Sequence, residues 1–403
     1  MRRTSIRLGL ILLCSLLAAA AAAGCAQSAR HSDLMIIRPA PRPAPAPIRA
    51  VWVARFHYRY PDDIRSIMRN CKQLGFNTVL WQVRGNGTVA FRSRLEPWAE
   101  EFDFQDPGFD PLAIAVQEAH RNDLRIEAWV NVMPGWKGKA PPPVPDQLYN
   151  SHPDWFLSDD TGARQPLGDF YVILNPCLPE VRRHIVGVVQ EVLNNYEVDG
   201  IHLDYVRYAW ETSKDARRRY PRDPVTLRLY QQQTGKRPDD DPRAWDDWRA
   251  NQLTRLVEEI RDRLNKRRPG ATLTAATWSD PSVGYHDYFQ NAIGWLRTGL
   301  IDAAFPMAYT ADAAEFERYV TAYQTLAPQA RIVPGIGLYK HTSQRQTAAQ
   351  LESCRRWGGE FAVFSYDSLY ATAGDRTARP AELTRRNGER QMRRSVLSAS
   401  GGL

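Results

Sequence analysis

The chain has 403 residues, of which 43% are hydrophobic and 24% charged, enough to bury a sizeable core and far from the composition of a disordered segment. Its five cysteines and eight histidines are scattered, without CxxC, HxH or zinc-ligand spacing, so a disulfide framework and a clustered metal centre are excluded as expectations. The net charge of +8 is a mild excess: three of those charges are Arg2, Arg3 and Arg7, and more sit in the tail around Arg385, Arg386, Arg390, Arg393 and Arg394. That distribution fits a solvated end and predicts no nucleic-acid partner.

At the N-terminus the three arginines precede an apolar run from Leu8 to Ala23, too short for a comfortable permanent span. The run closes on Ala22-Ala23-Gly24-Cys25, which resembles a bacterial lipobox. Cleavage before Cys25 and lipidation of its sulfur would then anchor the protein to a membrane, the alternative being an ordinary signal peptide cut nearby. Pro39-Ala-Pro-Arg-Pro-Ala-Pro-Ala-Pro47 favours extended polyproline II and reads as a tether. The expected organisation is a signal peptide at 1–24, a lipid-anchored tether at 25–48, one barrel at 49–395 and a tail at 396–403. The expected location is the cell envelope, facing the periplasm or in the outer membrane.

From Arg49 onward short apolar runs alternate with helical stripes. Strands are predicted at Ala50–Ala54, Asn77–Val83, Arg125–Asn131, Gly200–Asp204, Thr272–Thr277, Asp302–Met307, Arg331–Gly335 and Phe361–Ser365. Between them come one-sided helices such as Ile64, Ile67, Met68, Cys71 and Leu74, then Val181, Ile185, Val188, Val189 and Val192, with a last helix after Pro380. Eight alternations with near-continuous apolar strands predict an α/β fold, a closed (β/α)8 TIM barrel. A doubly wound sheet would show a Gly-rich phosphate turn after its first strand, and Val51-Trp-Val-Ala-Arg-Phe-His-Tyr58 has none. The long connections fall after the second, third and fourth strands (Arg84–Phe109, Val132–Asn175 and Tyr205–Asp241), the face where such barrels keep their sites.

In Val198-Asp-Gly-Ile-His-Leu-Asp-Tyr205, alternate residues share a face, so His202 and Asp204 point into the lumen and Asp204 emerges at the strand's C-terminal end, with Arg207 close behind. Asp199, entering the strand at the bottom, reads as turn chemistry.

Arg49-Ala-Val-Trp52, Asn77-Thr-Val-Leu-Trp-Gln-Val-Arg84, Glu127-Ala-Trp-Val-Asn131, Asn175-Pro176 and Asp199-Gly-Ile-His-Leu-Asp204 together resemble the glycosyl-hydrolase-like family ten of bacterial lipoproteins. The resemblance runs from about Arg49 to Tyr309 and implies a TIM barrel and hydrolysis of O-glycosidic bonds in an extracytoplasmic polysaccharide, with peptidoglycan glycan strands one candidate substrate. Where the family usually shows a second Asp after its strand-four Asp, this chain has Tyr205.

Glycosidases generally place two carboxyls across the scissile bond. Asp204 is the expected ionised partner. Asp280 is the first choice for the acid, with Glu127 and Asp367 as competitors. Arg84, Glu127, Asn131, His202, Arg207, Trp278 and Tyr309 are the expected substrate-binding residues, the aromatic rings because their faces suit sugar rings. No cofactor is expected. The rival reading is a non-catalytic carbohydrate-binding lipoprotein on a degenerate barrel.

Overall fold

The computed structural model describes residues 46–209, 215–376 and 396. The signal peptide, Cys25, the tether up to residue 45, the predicted last helix and the tail at 396–403 apart from Val396 lie outside the described residues.

Eight barrel strands follow the predicted order: β1 (Arg49–Val53), β2 (Thr78–Arg84), β3 (Arg125–Asn131), β4 (Gly200–Asp204), β5 (Thr272–Thr277), β6 (Ala303–Pro306), β7 (Arg331–Ile332 with Gly335–Gly337) and β8 (Phe361–Phe364). Neighbours pair in parallel from β1 to the first half of β7, and the second half of β7 pairs with β8, which returns to β1. The ring therefore closes through β7. The predicted strand Arg331–Gly335 is interrupted, because Pro334 has no N–H to offer a ladder. Pairing is carried across the break by Val333 N donating to Ala304 O and Ala362 N donating to Pro334 O, both at 2.9 Å.

The period-2 alternation sorts side chains into two apolar layers. Val51, Val53, Val79, Trp81, Ile126, Val130, Ile201 and Leu203 point outward and pack under helices, including the Ile64/Ile67/Met68 stripe of helix Pro61–Gln73 and the Val181/Ile185/Val188 stripe of helix Pro179–Asn195. Ala50, Trp52, Leu80, Trp129, Ala303, Phe305, Val333 and Ala362 fill the barrel interior. Both faces of the sheet are thus buried, as a parallel sheet requires. Helices Pro61–Gln73, Pro111–Arg121, Pro179–Asn195, Pro242–Arg267 and Pro281–Tyr288 each carry proline in the first turn, where its missing N–H would have found no helical partner.

The extra chain lies where the loop lengths placed it. After β3 it builds an antiparallel hairpin of Pro134–Gly138 with Gly168–Ile173, outside the barrel. Gly335 and Gly337 explain part of the mouth's shape. A Cβ on Gly335 would lie 3.2 Å from the rings of Trp52 and Tyr309, and one on Gly337 only 2.8 Å from Tyr309 Cβ. These two glycines make room for the tyrosine that caps the barrel on that side.

Candidate active site

The β3–β4 register stacks three interior levels: Glu127 opposite Gly200, Trp129 opposite His202, and Asn131 opposite Asp204. The sequence brought these residues into one list; the register separates them by depth.

At the bottom, Glu127 is buried and accepts hydrogen bonds from Thr272 Oγ1 at 2.8 Å and Thr274 Oγ1 at 2.5 Å. Burial pushes its carboxyl above the usual range, against those two hydroxyls. It sits two levels below the mouth and does not line a site that opens there. In the middle, Trp52 Nε1 donates to His202 Nε2 at 3.0 Å, and His202 Nδ1 pairs with Thr274 Oγ1 at 2.8 Å. The chain Trp52–His202–Thr274–Glu127 is a closed polar relay through the barrel axis. Burial drives the imidazole down to about 3, so it is neutral at physiological pH, with both nitrogens occupied. His202 and Glu127 are therefore core residues, and the expectation that they contact substrate is corrected.

Arg84 is corrected on the same ground. Its side chain is fully buried, with Nε and Nη2 on Glu96 at 2.8–3.0 Å and Nη1 on the carbonyls of Asn131, Val132 and Pro134. His184 adds a second contact to Glu96 at 3.0 Å. Arg84 is a structural clamp between the two loops that rise from β2 and β3, with all three guanidinium nitrogens engaged.

The mouth itself is built around Asp204. Its Oδ1 accepts the Tyr205 N–H at 2.6 Å and lies 3.4 Å from Arg207 Nη1. Burial raises the carboxyl above its ordinary range, while Arg207, the Tyr205 N–H and the Trp129 indole favour the charged form. Burial and these contacts thus act on the carboxyl in opposite directions. Tyr205 has φ +52°, a left-handed conformation that is costly for an aromatic residue, by about 1–3 kcal/mol. The bend turns the chain sharply at the rim. Arg207 lies over the Tyr205 ring at 3.8 Å, with the Trp278 ring at 5.5 Å. Trp278 stacks on Tyr288 at 4.0 Å, and Tyr309 lies within the field of Asp204 and Arg207, its ring near Trp52 and Tyr339. Asp204, Arg207, Asn131, Trp278 and Tyr309 are thus brought to one end of the barrel.

Two buried polar atoms at this level have no hydrogen-bond partner among the described residues: Asn131 Oδ1 and Arg207 Nε. Buried polar groups are nearly always satisfied, so a pair of orphans beside a carboxyl marks a place where a polar ligand or water completes the set.

Asp280 is placed differently from the expectation. It caps helix Pro281–Tyr288, Oδ1 accepting from Ser282 N and Val283 N at 3.0 and 3.4 Å, and Oδ2 faces Arg318 at 3.3 Å. Those are the contacts of a helix N-cap before proline. Asp367 accepts from Ser365 Oγ at 2.5 Å and faces His57 at 3.5 Å. Two other aromatics of these loops pack within them: Trp136 donates to Ala140 O, and Tyr285 donates to Asp247.

Sequence reasoning missed Arg55 and Glu101, which form a 2.9 Å ion pair at the same end of the barrel. Arg55 immediately follows β1, so its strand-end position was a readable signal. Glu101 lies in a short 3-10 turn of the long β2 loop, where no periodicity points to it. Among the described residues no group of three or more His, Cys, Asp or Glu is arranged to hold a metal ion.

The barrel carries the Asp204 carboxyl and the rings of Trp278 and Tyr309 at its C-terminal face. The chain belongs to the glycosyl hydrolase-like 10 family, whose model matches residues 47–357. It is similar to glycosyl hydrolase DigH of Escherichia coli K12, 27% identical over 305 residues that cover 67% of this chain and 64% of that protein. It is also similar to glycosyl hydrolase YngK of Bacillus subtilis 168, 26% identical over 299 residues covering 65% and 54%. The match spans less than two thirds of either relative's own length. Among solved structures, the glycoside hydrolase domain of PgaB (BpsB) from Bordetella bronchiseptica superposes with a TM-score of 0.59 at 16% identity, covering 85% of this chain and 98% of that one. That likeness is one of fold.

Proposed function

We propose that this chain is a glycoside hydrolase acting on an extracytoplasmic polysaccharide, with peptidoglycan glycan strands as the substrate class and Asp204 as its proton donor. The observation that carries the reading is the pair of orphaned polar atoms, Asn131 Oδ1 and Arg207 Nε, beside the buried Asp204 carboxyl. Pyranose hydroxyls can satisfy such atoms, and rings such as Trp278 and Tyr309 offer faces to the sugar's apolar side. Membership of a glycosyl hydrolase-like family supports the same direction.

Chemically, Asp204 would give its proton to the glycosidic oxygen as the C1–O bond breaks, and one water would be consumed per bond cleaved. Arg207 beside it would stabilise the carboxylate left behind and hold the site's geometry through its contact with the Tyr205 ring. The test is sugar release by the soluble barrel, from Arg49 onward, on a panel of glycans that includes peptidoglycan stripped of its peptides. New reducing ends with one substrate class are the expected result. Saturable binding of a glycan without cleavage would replace this reading with the carbohydrate-binding one.

The N-terminal sequence supports the proposal that the enzyme works from a membrane anchor at Cys25. Full-length protein expressed in a Gram-negative host should incorporate labelled palmitate, and the Cys25→Ser variant should not. Equal labelling of the two would remove the anchor from the account.

A further inference from the structure

The proposed reaction needs a second carboxyl, and two of the residues expected from sequence, Asp280 and Glu127, do not offer one. Asp280 has one oxygen on two helix N–H groups and the other facing Arg318. Glu127 lies two levels down with both oxygens on threonines. Glu101 differs from both. Its Oε2 accepts from Arg55 Nε at 2.9 Å, its Oε1 has no hydrogen-bond partner among the described residues, and its side chain keeps 18% of its exposure.

Arg55 is itself fixed. Its guanidinium reaches Gln82 and Asn86 at 3.4 Å, and a Cβ on Gly85 would fall 2.5 Å from it, so the chain of the β2 loop is moulded around this side chain. Tyr171 links this pair to Asp204. It stands on the hairpin that rises from β3, and its ring meets Tyr205, the residue after Asp204, edge-on at 5.0 Å. Its hydroxyl faces the Arg55 guanidinium within the electrostatic field of both Asp204 and Glu101. One side chain therefore packs on the turn that follows Asp204 and lies beside the Arg55–Glu101 pair.

Resting on the proposed hydrolysis, we infer that Glu101 is the second catalytic carboxyl: held by Arg55 through Oε2, it takes through Oε1 a proton from the water that attacks the sugar's C1. The balance is simple. The water oxygen forms the new C1–O bond, its proton goes to Glu101, the old C1–O bond breaks, and the leaving oxygen takes the proton of Asp204. Solvent then returns a proton to Asp204 and removes one from Glu101, so a single water is consumed.

The test uses the intact barrel on peptide-stripped peptidoglycan strands, comparing E101Q, E101A and D204N with wild type, each checked for an unchanged melting transition. E101Q keeps an oxygen for Arg55 but cannot accept a proton, and should lose about 10²–10⁴-fold in kcat with KM within a few-fold of wild type. E101A should recover turnover in added azide, whose nitrogen replaces the water oxygen at C1 while Asp204 still protonates the leaving group, giving a glycosyl azide. E101Q retaining more than a third of wild-type kcat would overturn the inference. So would loss of turnover without azide rescue, which would assign Glu101 to holding Arg55. Either result with D204N inactive leaves the hydrolase reading standing; D204N at wild-type activity removes that reading instead.

Discussion

Replacing Asp204 by asparagine is expected to lower glycan cleavage by about 10²–10⁴-fold while leaving the barrel folded. The amide keeps the shape of the side chain and an oxygen for the Tyr205 N–H at 2.6 Å, so the β4 exit holds its bend. What it loses is the transferable proton. The pH dependence follows from the direction of the shift. Burial raises this carboxyl, so its protonated, proton-donating form persists to higher pH than that of a free aspartate. Wild-type kcat/KM should therefore fall as pH rises through the folded-state pKa of Asp204, and D204N should lack that limb. The measurement is a pH–rate profile of both proteins on the glycan that wild type cleaves. A variant with normal turnover and a normal alkaline limb would exclude Asp204 as the donor.

Glu96→Gln is expected to destabilise the barrel by about 3–5 kcal/mol at neutral pH, because it leaves the Arg84 guanidinium buried without its counter-charge. Neither side chain of this pair has any exposure. Burial alone would raise the Glu96 carboxyl, but Arg84 and His184 outweigh it and hold it at about 2. A depressed carboxylate contributes stability that is fully present above its unfolded value of 4.5 and is lost as pH falls through that window toward 2. By this linkage the group contributes roughly 3 kcal/mol at neutral pH. Denaturant unfolding of wild type and E96Q at pH 7 and at pH 3 should show the gap between them narrowing on acidification. A gap that stays constant with pH would mean that Glu96 acts through shape and not charge. The consequence reaches the mouth, since Arg84 also binds the carbonyls of Asn131, Val132 and Pro134, at the root of the hairpin that carries Tyr171.

Much of the barrel was legible because its signals are local. β3, β4 and β5 have the bounds that alternation alone predicts, since a strand buried on both faces leaves an unbroken apolar run. β1, β2, β6 and β8 shift by one residue at one or both ends, and the largest departure is β7, where Pro334 splits one strand into two short halves. Chain position also located the face of the site, because long strand-to-helix loops are visible as spacing. The roles of the site residues were less accessible. Arg84, His202 and Glu127 have the same polar character as Asn131 and Arg207, and each lies on or near a strand that supplies the mouth. Only the register assigns them to depth, with Glu127 two levels and His202 one level below Asp204.

The amino-acid order by itself determined that this chain makes eight alternating strands and helices, that its loops gather at one end, and that Asp204 emerges there on the strand after Gly200. Those follow from side-chain periodicity and chain length, which act between near neighbours. The tertiary structure alone decided which polar groups are already satisfied. Arg84 is occupied by Glu96 from a loop twelve residues on, His202 by Trp52 from the far side of the barrel, and Asp280 by its own helix and Arg318. It also decided that Arg55 and Glu101, forty-six residues apart, meet at the mouth. A hydrogen bond depends on where two groups end up in space, and barrel closure brings together residues whose separation along the chain carries no trace of that meeting.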